Sequence, residues 1–253
     1  MRTFTIVIPA YNQLPLLQRA LESVLRQEGA DYDIIISDDS SDDKIERYVQ
    51  QLGNKNIQYV HHQQGKGPAD NWNDGLQMAT GQYLILMHHD EEMAGNDYLK
   101  RVQQQMEQGA DITISTVCVN GQKKRRHGNH WLKEYICNHP TLLFLINVIG
   151  PCACLTFRRE LLQTFNPYLR WFVDVEWYYR MLNGKKPVCI HNLTIDSHHG
   201  HESQISQTIN MKEAFLSDKA ILSHVYQQDK TVRRMLFLYQ HSILSIKQLF
   251  GKR

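Results

Sequence analysis

An alternation over the first 118 residues constrains this chain most. Short apolar runs rich in β-branched residues take turns with stretches of helical periodicity. The run FTIVIP (residues 4–9) is apolar on both faces, as in a buried parallel strand. LPLLQRALESVLRQ (14–27) then sets Leu17, Ala20, Leu21, Val24 and Leu25 on one helical stripe, with Pro15 in its first turn. YDIIIS (32–37), NIQYVHH (56–62), QYLILMHH (82–89) and DITISTVCV (111–119) repeat the strand pattern. Residues 38–52, 68–79 and 97–108 repeat the helical one, the first with Asp and Ser residues suited to capping. This order predicts a doubly wound α/β sheet.

The second half is less regular. CACLTF (152–157) and KPVCIHNLTI (186–195) read as strands and VDVEWYYRML (173–182) as a helix. The polar, basic stretch NGQKKRRHGNH (120–130) reads as a loop, and from Asn210 onward the chain reads as mostly helical. The expected division is a domain over 1–207, in halves 1–118 and 119–207, with a helical C-terminal extension over 208–253. The tail RRMLFLYQHSILSIKQLF is apolar almost all round, which suits packing or self-association, such as a homodimer, better than lying on a membrane.

Composition limits the function classes. A formal net charge of +2 gives no global argument for nucleic acid as a partner. Five cysteines without a tight framework suggest reduced thiols and a cytoplasmic location. The N-terminus reads as a first strand, not a signal peptide. The longest apolar stretch, 142–157, is broken by Asn147, Gly150 and Pro151.

Ligands in open α/β sheets bind beyond the carboxyl ends of the strands. Those ends read PAYNQ, SDDSSDD, HHQQGKGPADN and HHDEE, three of them with ionisable clusters. Helix capping, including Asp43 and Glu46 at capping-box spacing, accounts for the later acids of SDDSSDD. It accounts poorly for Asp38 and Asp39, which leave the strand directly, so Asp39 is a candidate to accept a hydrogen bond from a base or sugar. GKGPADN lacks the spacing of a phosphate-binding loop. In HHDEE, His88 and Asp90 share a face if the chain stays extended, and could then share a divalent cation; an acidic loop that only caps the next helix is the other reading. Asp174 and Glu176 could simply favour a helix start, Arg180 could pair with a carboxylate, and Trp177 could be core. The histidines of SHHGHES, with Cys189 and His191, match no standard zinc spacing.

Taken together, TIVIPAYNQLPLLQRALESVLRQ, DIIISDDSSDD, GPADNWNDGLQMATGQYLILMHHDEE, FVDVEWYYRM and GHESQIS resemble, in order, the segments of the family 2 glycosyltransferases, inverting enzymes of GT-A fold, which implies a Rossmann-like α/β architecture with a mixed, mainly parallel central sheet flanked by helices. The resemblance runs from about Thr5 to Ser206. It departs in two places: His88 stands where the family's D-x-D has its first aspartate, and Val173-Asp174 stands for the acceptor motif's E-D. The resemblance implies transfer of a hexosyl or N-acetylhexosaminyl group from a nucleotide-diphosphate sugar, expected to carry UDP, to a glycan or lipid-linked acceptor, as in surface polysaccharide synthesis. It implies Asp174 as the base and a nucleotide-sugar site at Pro9, Ala10, Tyr11, Asn12, Asp39, Asn71, His88, His89 and Asp90. It also implies Mn²⁺ or Mg²⁺ held by Asp90, with His88 and His201 as further ligands, and peripheral association with the inner face of a membrane. The rival readings are a non-catalytic nucleotide-sugar-binding module, a nucleotidylyltransferase, which PAYNQLP argues against, and, more distantly, a zinc-binding interaction protein.

Overall fold

The structure is a computed structural model and describes residues 2–62, 65–121, 129–200 and 209–244. Strands β1 (Phe4–Ala10), β2 (Tyr32–Asp38), β3 (Ile57–His61) and β4 (Tyr83–Leu86) alternate with helices α1 (Leu14–Leu25), α2 (Lys44–Leu52) and α3 (Pro68–Met78). Then come β5 (Glu91–Met93), α4 (Tyr98–Glu107), β6 (Ile112–Val119), α5 (His130–Asn138), β7 (Leu155–Arg158), α6 (Val173–Leu182) and β8 (Pro187–Ser197). Two further helices, α7 (Met211–Val225) and α8 (Lys230–Leu238), precede a π-helical turn over Tyr239–Leu244.

The strands form one sheet in the order β3-β2-β1-β4-β7-β6-β8-β5. β1 pairs in parallel with β2 and β4, β2 with β3, and β6 with β8. β7 runs antiparallel to both β4 and β6, and β5 antiparallel to β8. The expected mixed, mainly parallel sheet is therefore the observed one. β1 and β4 lie wholly in the core, which is why they read as unbroken apolar runs. Helix α3 lies so close to the sheet that a Cβ on Gly75 would meet Val7 Cγ1 at 2.5 Å. That close approach explains a glycine in mid-helix, at a local cost of about 1 kcal/mol.

Several boundaries differ from the reading. The strand expected over 82–89 stops at Leu86, because the chain turns at His89-Asp90 and Glu91 folds back to donate its N–H to His88 O at 3.1 Å. The short edge strand β5 that follows has too few residues to show a period. In CACLTF, Cys152–Cys154 form a 3-10 turn and only the remainder is strand. α2 starts at Lys44 rather than within the acidic turn, and Asp43 makes no side-chain cap. Asp43 instead pairs with Arg47 at 2.5 Å, an ion pair at i,i+4.

The C-terminal helices share the main core. Phe215, Leu222, Val232 and Leu236 are fully buried, and Phe215 and Tyr239 pack around Phe172. Buried Asp218 accepts the N–H groups of Arg170, Trp171 and Phe172 at 2.7–3.1 Å, clamping α7 to the loop that enters α6. Among the described residues, no helix is long and apolar enough to cross a membrane.

Candidate active site

Three of the polar strand ends meet over β1. Beyond Ala10 the chain turns at Asn12, whose φ of 53° is in the left-handed region that asparagine tolerates. Asn12 N–H donates to Ser40 Oγ at 2.8 Å, and its Oδ1 accepts from Ser41 N–H at 3.0 Å. Asp39 N–H donates to Ala10 O at 3.0 Å. Asn12 thus locks the β1 turn to the acidic turn, while Pro9 and Ala10 are buried beneath and Tyr11 stands 51% exposed at the rim.

The two aspartates of the acidic turn do different work. Asp38 is wholly buried and accepts from Tyr59 Oη at 2.8 Å and Ser40 N–H at 2.9 Å. Asp39 accepts from the N–H groups of Lys66 and Gly67 at 2.9–3.0 Å, so it orders the loop that enters α3. A carboxylate has about four acceptor positions, so Asp39 retains capacity for a ligand donor. Asn71 is turned inward: its Oδ1 accepts from Ser37 Oγ at 2.6 Å and its Nδ2 reaches Ala10 O at 3.5 Å.

The turn after β4 forms the opposite wall. His89 Nδ1 lies 3.3 Å from Pro9 O, which joins this turn to β1. His88 is fixed from two directions. Its backbone N–H donates to Glu91 Oε2 at 2.9 Å and its Nδ1 to Glu91 Oε1 at 3.0 Å, while Trp72 packs against the imidazole with ring centroids 4.6 Å apart. The other ring nitrogen, Nε2, is buried without a partner among the described residues. Burial opposes charge on this imidazole, but the carboxylates of Glu91, Asp90 and Asp174 outweigh it and push the pKa up to about 9. Burial raises Glu91, and His88 pulls it back.

Asp174 lies in the first turn of α6, near enough to His88 for each to shift the other. Its hydrogen-bond donor is the Cys152 thiol, at 3.8 Å from Oδ1. Burial raises its pKa above the usual carboxylate range, with His88 and Cys152 opposing. Glu176, two residues on, is already engaged: Arg180 Nε lies at 2.7 Å and Tyr226 Oη at 2.6 Å. Trp177 is core, stacked on Phe165.

The structure therefore brings Ala10, Tyr11, Asn12 and Asp39 together at one wall and His88, His89, Asp90 and Asp174 at the other, with Pro9 linking them. His201 and the rest of its loop lie outside the described residues, as does the basic stretch 123–127. That loop leaves β8 beside the turn, where His198 N–H donates to Asp90 O at 2.8 Å. Sequence reasoning missed Glu91 and Trp72, which hold His88, and Cys152. An acid three residues after a histidine was the available signal for Glu91.

His88, Asp90 and Glu91 each offer a ligand atom, all within 4.8 Å of one another. An imidazole nitrogen among carboxylate oxygens is a donor set that Mn²⁺ accepts once it displaces the proton that a pKa of about 9 keeps on His88, and that Mg²⁺ accepts through its oxygens.

A model of Glycosyl transferase family 2 matches residues 5–165. The chain belongs to that family. Among its relatives, it is 34% identical over 96 residues to the GalNAc(5)-diNAcBac-PP-undecaprenol beta-1,3-glucosyltransferase of Campylobacter jejuni, an overlap of 37% of this chain and 31% of that protein. This glycosyltransferase thus matches less than a third of that relative's length. Its fold matches that of S. aureus TarS 1–349, solved in complex with UDP-GlcNAc, with a TM-score of 0.74 at 16% identity over 100% of this chain and 76% of that one. It also matches the Pyrobaculum calidifontis mannosyltransferase PcManGT, solved with GDP-Man and Mn²⁺, with a TM-score of 0.64 at 14% identity over 100% and 88%. At these identities the two structures establish the GT-A fold alone.

Proposed function

We propose that this glycosyltransferase moves a hexosyl or N-acetylhexosaminyl group, with inversion, from a UDP-sugar to a hydroxyl of a glycan or lipid-linked glycan, as in surface polysaccharide synthesis. The observation that carries the reading is Asp174, a half-buried carboxylate beside the His88 turn whose hydrogen-bond donor among the described residues is a thiol rather than a cation. Asp174 takes the proton from the acceptor hydroxyl as its oxygen attacks the anomeric carbon. A pKa raised by burial suits a base working near neutral pH. Tyr11 borders the uracil and Asp39 accepts its ring N–H, while Asn12 holds that wall in place. The binding of UDP-GlcNAc by TarS and the diphosphate-lipid acceptor in the name of the Campylobacter relative support the donor and acceptor classes.

Asp90 and His88 would hold a divalent cation, with Glu91 fixing the imidazole so that Nε2 faces outward from the pair. Bound there, Mn²⁺ or Mg²⁺ supplies positive charge against the diphosphate as it leaves. The test is a panel of UDP- and GDP-sugars with purified protein, following nucleoside diphosphate release and the anomeric configuration of the product by NMR. UDP release with inversion is expected. Equal affinity for UDP and GDP would overturn the donor assignment, and UDP binding without any turnover would favour a non-catalytic sugar-nucleotide module.

A further inference from the structure

Five surface cations elsewhere in the molecule are paired with carboxylates: Arg2 with Asp31, Arg19 with Glu92, Lys44 with Asp42, Arg47 with Asp43, and Lys66 with Asp74. The groove between α7 and α8 is different. It encloses ≈ 790 Å³, and Lys219, Lys230, Arg233 and Arg234 line it without a carboxylate. Among the described residues, Lys219 and Arg233 bond only to neutral oxygens, of Gln240 and Gln227. The acids nearest in sequence are turned away: Asp218 receives the 170–172 backbone, and Asp229 binds Tyr179 Oη at 2.7 Å and the first N–H groups of α8. Residues 245–253 contain no acid that could neutralise the groove. Four like charges sharing a groove repel one another, so the arrangement favours an anionic occupant.

On α8, Lys230, Arg233, Arg234 and Phe237 recur at helical spacing, and Phe237 is 55% exposed at the groove. A cationic face carrying an exposed aromatic ring matches the headgroup layer of an anionic bilayer, where charge attracts and the ring enters the interface. We propose that the α7–α8 groove is a docking site for anionic phospholipid headgroups, holding the enzyme peripherally at a membrane. The surface is rigidly tied to the catalytic helix, because Tyr226, between α7 and α8, bonds Glu176 on α6. Docking would give the lipid-linked acceptor proposed above its meeting place, and it is read by a measurement in which sugar transfer has no part.

The experiment is co-sedimentation of the full chain with vesicles of phosphatidylcholine alone or mixed with phosphatidylglycerol, at low and physiological salt. The expected result is binding to the anionic vesicles only, weakened by salt. Arg233→Glu combined with Arg234→Glu should cut that partition roughly tenfold or more, since each basic residue near such a surface contributes several-fold. UDP affinity serves as the folding control and should stay unchanged. No binding by the wild type, or equal binding by the double variant, would overturn the site, the latter moving binding elsewhere on the chain. Light scattering covers a second copy as the occupant: a wild-type dimer that the double variant dissolves, with no vesicle binding, would also overturn it.

Discussion

Two regions of this molecule hold buried or half-buried carboxylates on or next to helix α6, and they treat them in opposite ways. At the C-terminal clamp each acid is engaged by several donors. Asp218 holds three backbone N–H groups, Glu176 holds Arg180 and Tyr226, and Asp229 holds Tyr179 and the start of α8. At the cleft, Asp174 has a thiol at 3.8 Å, and His88 keeps one buried nitrogen without a partner among the described residues. Buried polar groups are normally satisfied, so the unpartnered Nε2 marks a site that gives up stability for something other than folding, while half-buried Asp174 keeps capacity for a ligand. The same helix thus begins in a reactive environment and continues, two residues later, into a structural one.

The largest effect should come from breaking the reactive side. Asp174→Asn keeps the shape and removes the proposed base, so turnover should fall by roughly 10²–10⁴-fold. UDP affinity, measured by calorimetry, should be unchanged. Near-normal turnover would erase the contrast, since Glu176, the neighbouring acid, is already bound on both sides.

Breaking the structural side should cost stability instead. Asp218→Ala leaves three N–H groups without their acceptor, at about 1–3 kcal/mol for a group left buried and unpaired. A loss of about 3 kcal/mol or more is expected in urea unfolding, and Asp218→Asn, which retains one acceptor oxygen, should lose less. If Asp218→Ala unfolds at the same urea concentration as the wild type, the clamp is not structural.

The contrast also explains what the sequence could convey. The strand-helix alternation is legible because β1 and β4 are buried on both faces, so burial writes itself into composition. Asp39 stands out as a candidate because it leaves a strand directly, a place that chain order identifies, whereas Asp174 is singled out by the family resemblance, since an acid at a helix start is commonplace. Glu91 is not, because its role depends on the chain reversing at His89-Asp90 and bringing its carboxylate under both nitrogen donors of His88. An extended reading sends Glu91 to the other face from Asp90. The clamp is equally silent: Asp218 meets Arg170 across 48 residues, and no local period encodes that contact. β5 escapes because three residues carry no pattern.

Glu91 gives the next test. Glu91→Gln keeps a hydrogen-bond acceptor but removes the charge that holds His88. Supporting residues of this kind typically alter metal affinity by about 10–100-fold. Mn²⁺ titration followed by electron paramagnetic resonance should show a loss in that range, with the His88 pKa, read by NMR, falling from about 9. Unaltered Mn²⁺ affinity would reduce Glu91 to packing and leave Asp90 to act without an oriented imidazole.

The smallest expected effect lies at the clamp's outer edge. Burial works against charge on Asp229, but the N–H of Val232, the Tyr179 hydroxyl and the N–H of Thr231 outweigh it and hold the carboxyl below its ordinary range. A folded-state pKa lower than the unfolded one means that the carboxylate stabilises the fold above about pH 4, and that this contribution disappears as the pH falls through the lowered value. Asp229 is also the N-cap of α8, where replacement by alanine costs about 1 kcal/mol. Asp229→Ala should therefore melt below the wild type at pH 7, and the gap should narrow on acidification below pH about 4 as the wild type loses the same interaction. A gap that stays constant into acid would mean that the capping hydrogen bonds survive protonation, and that the charge of Asp229 contributes nothing to the clamp.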